Sequence, residues 1–143
     1  MPAKTIVERA KQDLREGRSP TTAAGEFVHE EIEHVRRGKH GARSPQQVIA
    51  IGLSKARRAG VPLPPLPPGK AKETTRRSAE STYRKGQARA KRPAQEYSRI
   101  REEVLKREPR STVSHRVLSA QAKRRCQSAQ PWSEEVNPES ESA

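Results

Sequence analysis

The sequence predicts an all-α fold: a small three-helix N-terminal unit, then a proline-rich spacer, then a basic tail that is largely disordered or conditionally helical. Three observations carry this. Ser19-Pro20 and Ser44-Pro45 each place a capping hydroxyl before a proline suited to the first helical turn, and each is followed by a glycine stop, Gly38 or Gly60. Between those signals the apolar residues recur at spacings of three and four. Finally, 14 of the 21 Leu, Ile, Val and Phe residues lie in residues 1–69, leaving 7 for the longer remainder, so any core is N-terminal and small.

The first helix is expected to start at a Thr5 cap and run to about Glu16, with Val7, Ala10 and Leu14 on one face and Gly17 ending it. The second runs from Thr21 to about Arg37, with Ala24, Val28, Ile32 and Val35 in line and Phe27 beside them. The third follows Ser44-Pro45. Here Ile49, Leu53 and Ala56 share a face, Val48, Gly52 and Ala59 flank it, and Lys55, Arg57 and Arg58 gather in the last turns. Five prolines in Val61–Gly69 must leave the helical region as a stiff spacer of polyproline II character. Beyond it, Gln95–Lys106 and Thr112–Arg125 have helical periodicity but thin apolar faces, with Pro93 and Pro109 interrupting. The resulting division is a helical domain over 1–61, a linker over 62–69, a basic tail over 70–130 and an acidic, disordered tip over 131–143.

The third-helix segment also carries a resemblance. Arg43, Gln46 or Gln47, Ile49, Ala50, Ile51, Leu53, Ser54 and Ala56 fall on an Arg-x-x-Gln-x-Ile-Ala-Ile-x-Leu-Ser-x-Ala pattern. Over residues 25–61 the chain resembles a family of small basic bacterial proteins of unknown function. That resemblance implies a bacterial, nucleic-acid-associated protein and transfers no catalytic residues.

Composition narrows the partners. The 143 residues carry 30 Lys and Arg against 17 Asp and Glu, a formal charge of +13, with a sequence pI near 10.7. Such a balance favours polyanions. Within residues 70–130 there are 18 cations and 6 glutamates, so nearly all the excess sits there. Cys126 is the single cysteine, which excludes an intramolecular disulfide and suits a reducing cytoplasm. No apolar run is long enough for a signal peptide or a membrane span. About 60 residues make a marginal core, which leaves self-association of the N-terminal helical unit open.

Candidate chemistry is sparse. Glu26, His29, Glu30, Glu31, Glu33 and His34 cluster on the second helix, but His29 and His34 are five apart and point about 140° from one another. That geometry fails the zincin His-Glu-x-x-His pattern. Glu30 or Glu31 shares a face with His34, yet a bundle metal site needs ligands from further helices. A solvated acidic face, or pairing with cations of the third helix, is the expected state, with no metal and no cofactor. Residues 38–43, GKHGAR, lack P-loop order, although Lys39, His40 and Arg43 beside the third helix suit a single phosphate. Neither Ser114 with His115 nor Cys126 after three cations has the packed surroundings of a nucleophile, so no enzyme is expected.

The functional expectation is therefore electrostatic: largely sequence-independent binding to the backbone of nucleic acid, with duplex DNA the expected form and a nucleoid-associated, cytoplasmic location. The residues expected to carry it are Lys39, Arg43, Lys55, Arg57 and Arg58 near the third helix. In the tail they are Arg76, Arg77, Arg84, Lys85, Arg89, Lys91, Arg92, Lys123, Arg124 and Arg125. Few aromatics, Tyr83 and Tyr97 among them, disfavour a single-strand stacking surface. The alternative is an adaptor for an acidic protein partner or ribosomal RNA.

Overall fold

A computed structural model describes residues 3–88 and 95–128, with side chains described for 3–88 and 99–127. The described residues form helices without strands: α1 Lys4–Arg15, α2 Pro20–Arg36, α3 Pro45–Arg58, α4 Glu73–Gln87, α5 Gln95–Lys106 and α6 His115–Ser128, with a 3₁₀ turn at Ser111–Val113. Arg89, Lys91, Arg92 and the acidic tip lie outside the described residues.

Local chemistry sets most boundaries. Ser19 Oγ accepts the Thr22 amide and Ser44 Oγ accepts the Gln47 amide, each at 3.2 Å, so both serines cap as their sequence context predicts. The first helix differs. It begins at Lys4 with Ala3 as its cap, and Thr5 lies exposed within the first turn. The reason is tertiary: the Ala3 amide donates to Glu30 Oε1 at 2.9 Å, anchoring the stretch of chain that enters α1. At the other ends, Gly17, Gly38 and Gly60 have positive φ. Each closes a Schellman motif, as in Lys39 N to His34 O at 2.9 Å beside Gly38 N to Val35 O at 3.1 Å.

α1, α2 and α3 pack on Ala10, Ala23, Ala24, Phe27, Ala56 and Val61, with Ile6, Leu14 and Leu53 at the margin. Val61, the residue after the Gly60 stop, is 3% exposed, so the proline spacer begins inside the core before it leaves. The buried line of α3 is Val48, Gly52 and Ala56, one residue round from the expected Ile49-Leu53-Ala56 face. Gly52 explains the rotation. A Cβ there would stand 2.6 Å from the Val28 Cα, so α2 and α3 approach along their small residues and leave Ile49 and Leu53 half-buried on one flank of the contact.

The described part of the basic segment joins this unit. Glu73–Gln87 is helical and packs on α3, placing Thr82 in a buried position with its hydroxyl donating to the Ser78 and Ala79 carbonyls. Further along, Val113 is 1% exposed and completes a second core with Val35, Ala42 and Val48, with Leu118 against it. The Gly41 and Ala42 amides donate to the Leu105 and Pro109 carbonyls at 2.7 and 2.9 Å. A Cβ on Gly41 would overlap the Glu108 carbonyl. The sequence predicts coil or conditional helix here because large apolar residues are few, whereas these contacts use Gly and Thr together with single residues such as Val113 and Leu118.

Candidate functional site

Two features carry chemistry: the cationic surface where α3 meets α4, and a buried carboxylate–imidazole cluster beneath the 37–44 turn.

At the first, Gly86 packs on the backbone of Arg57 and Arg58, close enough that a Cβ would overlap the Arg57 carbonyl. This approach brings Arg84 and Lys85 to the C-terminal end of α3. Arg57 is half-buried and donates from Nε to the Leu63 carbonyl at 3.0 Å, and burial pulls its guanidinium below its ordinary pKa while leaving it a cation. Arg58 and Lys85 are exposed, and Arg84 pairs loosely with Glu80 at 3.3 Å on the helix surface. Cations at two helix C-termini also complement the helix dipoles.

Other expected residues are placed differently. Arg76 and Arg77 both bind Glu73, at 2.8 and 3.0 Å, and these hydrogen bonds hold the Glu73 carboxyl below the usual range. Lys39 is exposed beside the α2 C-terminus. Arg43 is tied at both ends, its amide to Gln47 Oε1 at 2.7 Å and its guanidinium to Glu108 at 3.1 Å. On α6, Lys123, Arg124 and Arg125 are exposed, and Gln121 receives a 2.7 Å hydrogen bond from Gln46 that fixes α6 at the opposite end of α3 from Arg58.

Lys55 does not face solvent phosphate as the sequence suggests. Its ammonium pairs with Glu31 Oε1, and Glu31 is 1% exposed. Glu30 is buried as well. The expected solvated acidic face of α2 is thus a core element over these two residues, while pairing with a third-helix cation is realised. Around Glu31 the structure adds two imidazoles: His34 Nδ1 at 3.3 Å from Oε1, and His40 Nε2 at 3.3 Å from Oε2. Burial lowers the His34 pKa, Glu31 opposes that shift, and Lys39 and Lys55 reinforce it. The sequence suggests a phosphate contact for His40 but not its place beside Glu31, because it lies beyond the Gly38 turn, where helical spacing no longer reports proximity.

No family model, curated protein or solved structure matches the chain. The resemblance of the third-helix segment accordingly adds no residue roles to those the geometry supplies. Among the described residues no helix is long and apolar enough to cross a membrane.

Proposed function

We propose that the protein is a non-enzymatic nucleic-acid-binding protein that grips the duplex DNA backbone with little regard to sequence. The observation that carries this reading is the seating of Gly86 on the Arg57–Arg58 backbone, which brings the cation-bearing last turns of α3 and α4, with exposed Arg58 on one and exposed Arg84 and Lys85 on the other, next to each other. A net excess of 12 cations across residues 70–130 supplies the surrounding field. Gln46 and Arg58, at which α6 and α4 are docked, are twelve residues apart on α3. Their separation along the helix axis is about 18 Å, the axial rise of about five base pairs, a length over which a duplex presents several phosphates. A cytoplasmic, nucleoid-associated setting follows from this reading, with acidic proteins and ribosomal RNA as the competing polyanions.

Mobility-shift titrations of the full chain on random duplexes at several salt concentrations test it. Neutralising about six to ten phosphates corresponds to a fall in affinity of about 10³ to 10⁵ between 50 and 200 mM salt. The triple variant Arg58→Glu, Arg84→Glu, Lys85→Glu should bind more weakly, with a salt slope shallower by about 0.9 for each phosphate that is no longer neutralised. Salt-insensitive binding, or a triple variant indistinguishable from the parent, overturns the reading. Preference for ribosomal RNA or an acidic protein over duplex in competition would reassign the partner.

A further inference from the structure

We infer that Glu31, His34 and His40 form a binding site for one divalent transition-metal ion, zinc by the chemistry of its donors, that pins the 37–44 turn to α2. The three candidate ligand atoms lie within 4.8 Å of one another. Both nitrogen-to-oxygen separations at Glu31 are 3.3 Å. A tetrahedral zinc with bonds of about 2.0–2.1 Å holds adjacent ligand atoms about 3.3–3.4 Å apart, and each imidazole nitrogen stands at that spacing from its own Glu31 oxygen, His34 from Oε1 and His40 from Oε2, so the carboxylate meets the ion between the two rings.

The orientation of the imidazoles is the independent observation. His40 Nδ1 lies 3.0 Å from the Gly41 carbonyl oxygen. A carbonyl only accepts, so the proton of that hydrogen bond belongs to Nδ1, and in neutral His40 the lone pair is then on Nε2, directed at Glu31 Oε2. Two acceptors would face each other across 3.3 Å inside the protein. Glu31 Oε2 correspondingly has no hydrogen-bond donor among the described residues, although Glu31 is only 1% exposed. A cation between the two resolves the conflict. His34 is arranged in the same sense: Nδ1 faces Glu31, while Nε2 faces Glu30 Oε1 at 3.9 Å. An imidazole that turns one nitrogen to a common point and the other to a carbonyl or carboxylate is the arrangement of a metal-bound histidine with its outer-shell partner. Two histidines and one glutamate are three protein ligands, which leaves a fourth position for water.

Lys55 is the competitor. Its ammonium neutralises Glu31 when no metal is bound, and its side chain is 22% exposed, so the amine has a path to solvent as the ion enters. The metal site and the ammonium pair are therefore alternative ways of satisfying one buried carboxylate, and removing Lys55 separates them.

The test uses the full chain carrying Cys126→Ser, which removes an exposed thiol as a rival ligand. Zinc is titrated in against a competing chromophoric chelator, and cobalt is used to read coordination from its visible absorption. The expected result is one equivalent bound, with tetrahedral cobalt bands and a rise in Tm. Glu31→Gln and His40→Gln should each weaken binding by more than the roughly 10–100-fold that loss of an outer-shell partner costs. His29→Gln and His115→Gln should leave it unchanged. Lys55→Met keeps the measurement informative if the ligand variants fail to fold: it should bind zinc more tightly than the parent, and its lowered Tm should be restored by zinc. Absence of stoichiometric binding, equal binding by Glu31→Gln, or a Lys55→Met variant that zinc does not stabilise would show that the cluster is held by its own contacts and that no metal site exists.

Discussion

Gly86 lies with its backbone against the Arg57 carbonyl, and this meeting of α4 and α3 serves packing and charge placement together. Any side chain at 86 must push α4 away, because the atoms it would meet are backbone and cannot rotate aside. Gly86→Ala should destabilise the protein by about 1–3 kcal/mol in chemical denaturation. It should also weaken duplex binding by moving Arg84 and Lys85 from Arg58. Parent-like stability would show that α4 is not seated on α3 as described.

Gly25 makes the opposite prediction from the same chemistry. It sits exposed inside α2, and a Cβ there would meet nothing within 4 Å. Gly25→Ala should therefore raise stability by about 0.5–1 kcal/mol, through the reduced backbone entropy of the unfolded chain. The pair of glycine substitutions, measured side by side in denaturant, separates helix propensity from helix packing.

Features governed by local hydrogen bonding are legible in the sequence, and those governed by close approach are not. Ser19, Ser44, Gly17, Gly38 and Gly60 satisfy the orphan amides and carbonyls of adjacent turns, so residue type and position suffice to place them. The bounds of α5, Gln95–Lys106, coincide with a periodic stretch of the sequence whose thin apolar face predicts only conditional helix. The face of α3 is misjudged by one residue because apolar volume points to Ile49 and Leu53, while proximity to Val28 selects Gly52. The seat of α4 is missed because Ala79, Thr82 and Gly86 add little to an apolar count yet allow backbones to touch. Glu31 reads as one of several solvated carboxylates. Only the three-dimensional meeting of His34, His40 and Lys55 shows that it is a buried, partnered charge.

Val113 tests the second core. It fills the space between Val35, Ala42 and Val48 although it is more than fifty residues from any of them in sequence. Val113→Asp places a carboxylate in an apolar cluster and should cost several kcal/mol in thermal or chemical unfolding. Ile100→Asp, at a position 54% exposed on α5, should change stability by no more than about 0.5 kcal/mol. Similar melting curves for the two variants would mean that the 111–118 segment is not part of the folded unit.

The final prediction concerns pH, measured with a strong chelator present so that only protons compete for the cluster. Burial is the largest influence on His34 and lowers its pKa, with Lys39 and Lys55 acting in the same direction and Glu31 and Glu30 against it. The folded state therefore holds the His34 proton less tightly than the unfolded chain does. Its contribution to stability is complete above the unfolded value of about 6.5, and it is lost as the pH falls through the lower folded value. Between about pH 8 and 5 the Tm of the parent should fall on the acid side of about 6.5, and His34→Gln should flatten that limb, whereas the exposed His29→Gln should leave it intact. An acid limb that survives in His34→Gln would assign the pH dependence to other groups. A Tm that rises on acidification would mean that the attraction of Glu31 and Glu30 outweighs desolvation, reversing the order of forces on this imidazole.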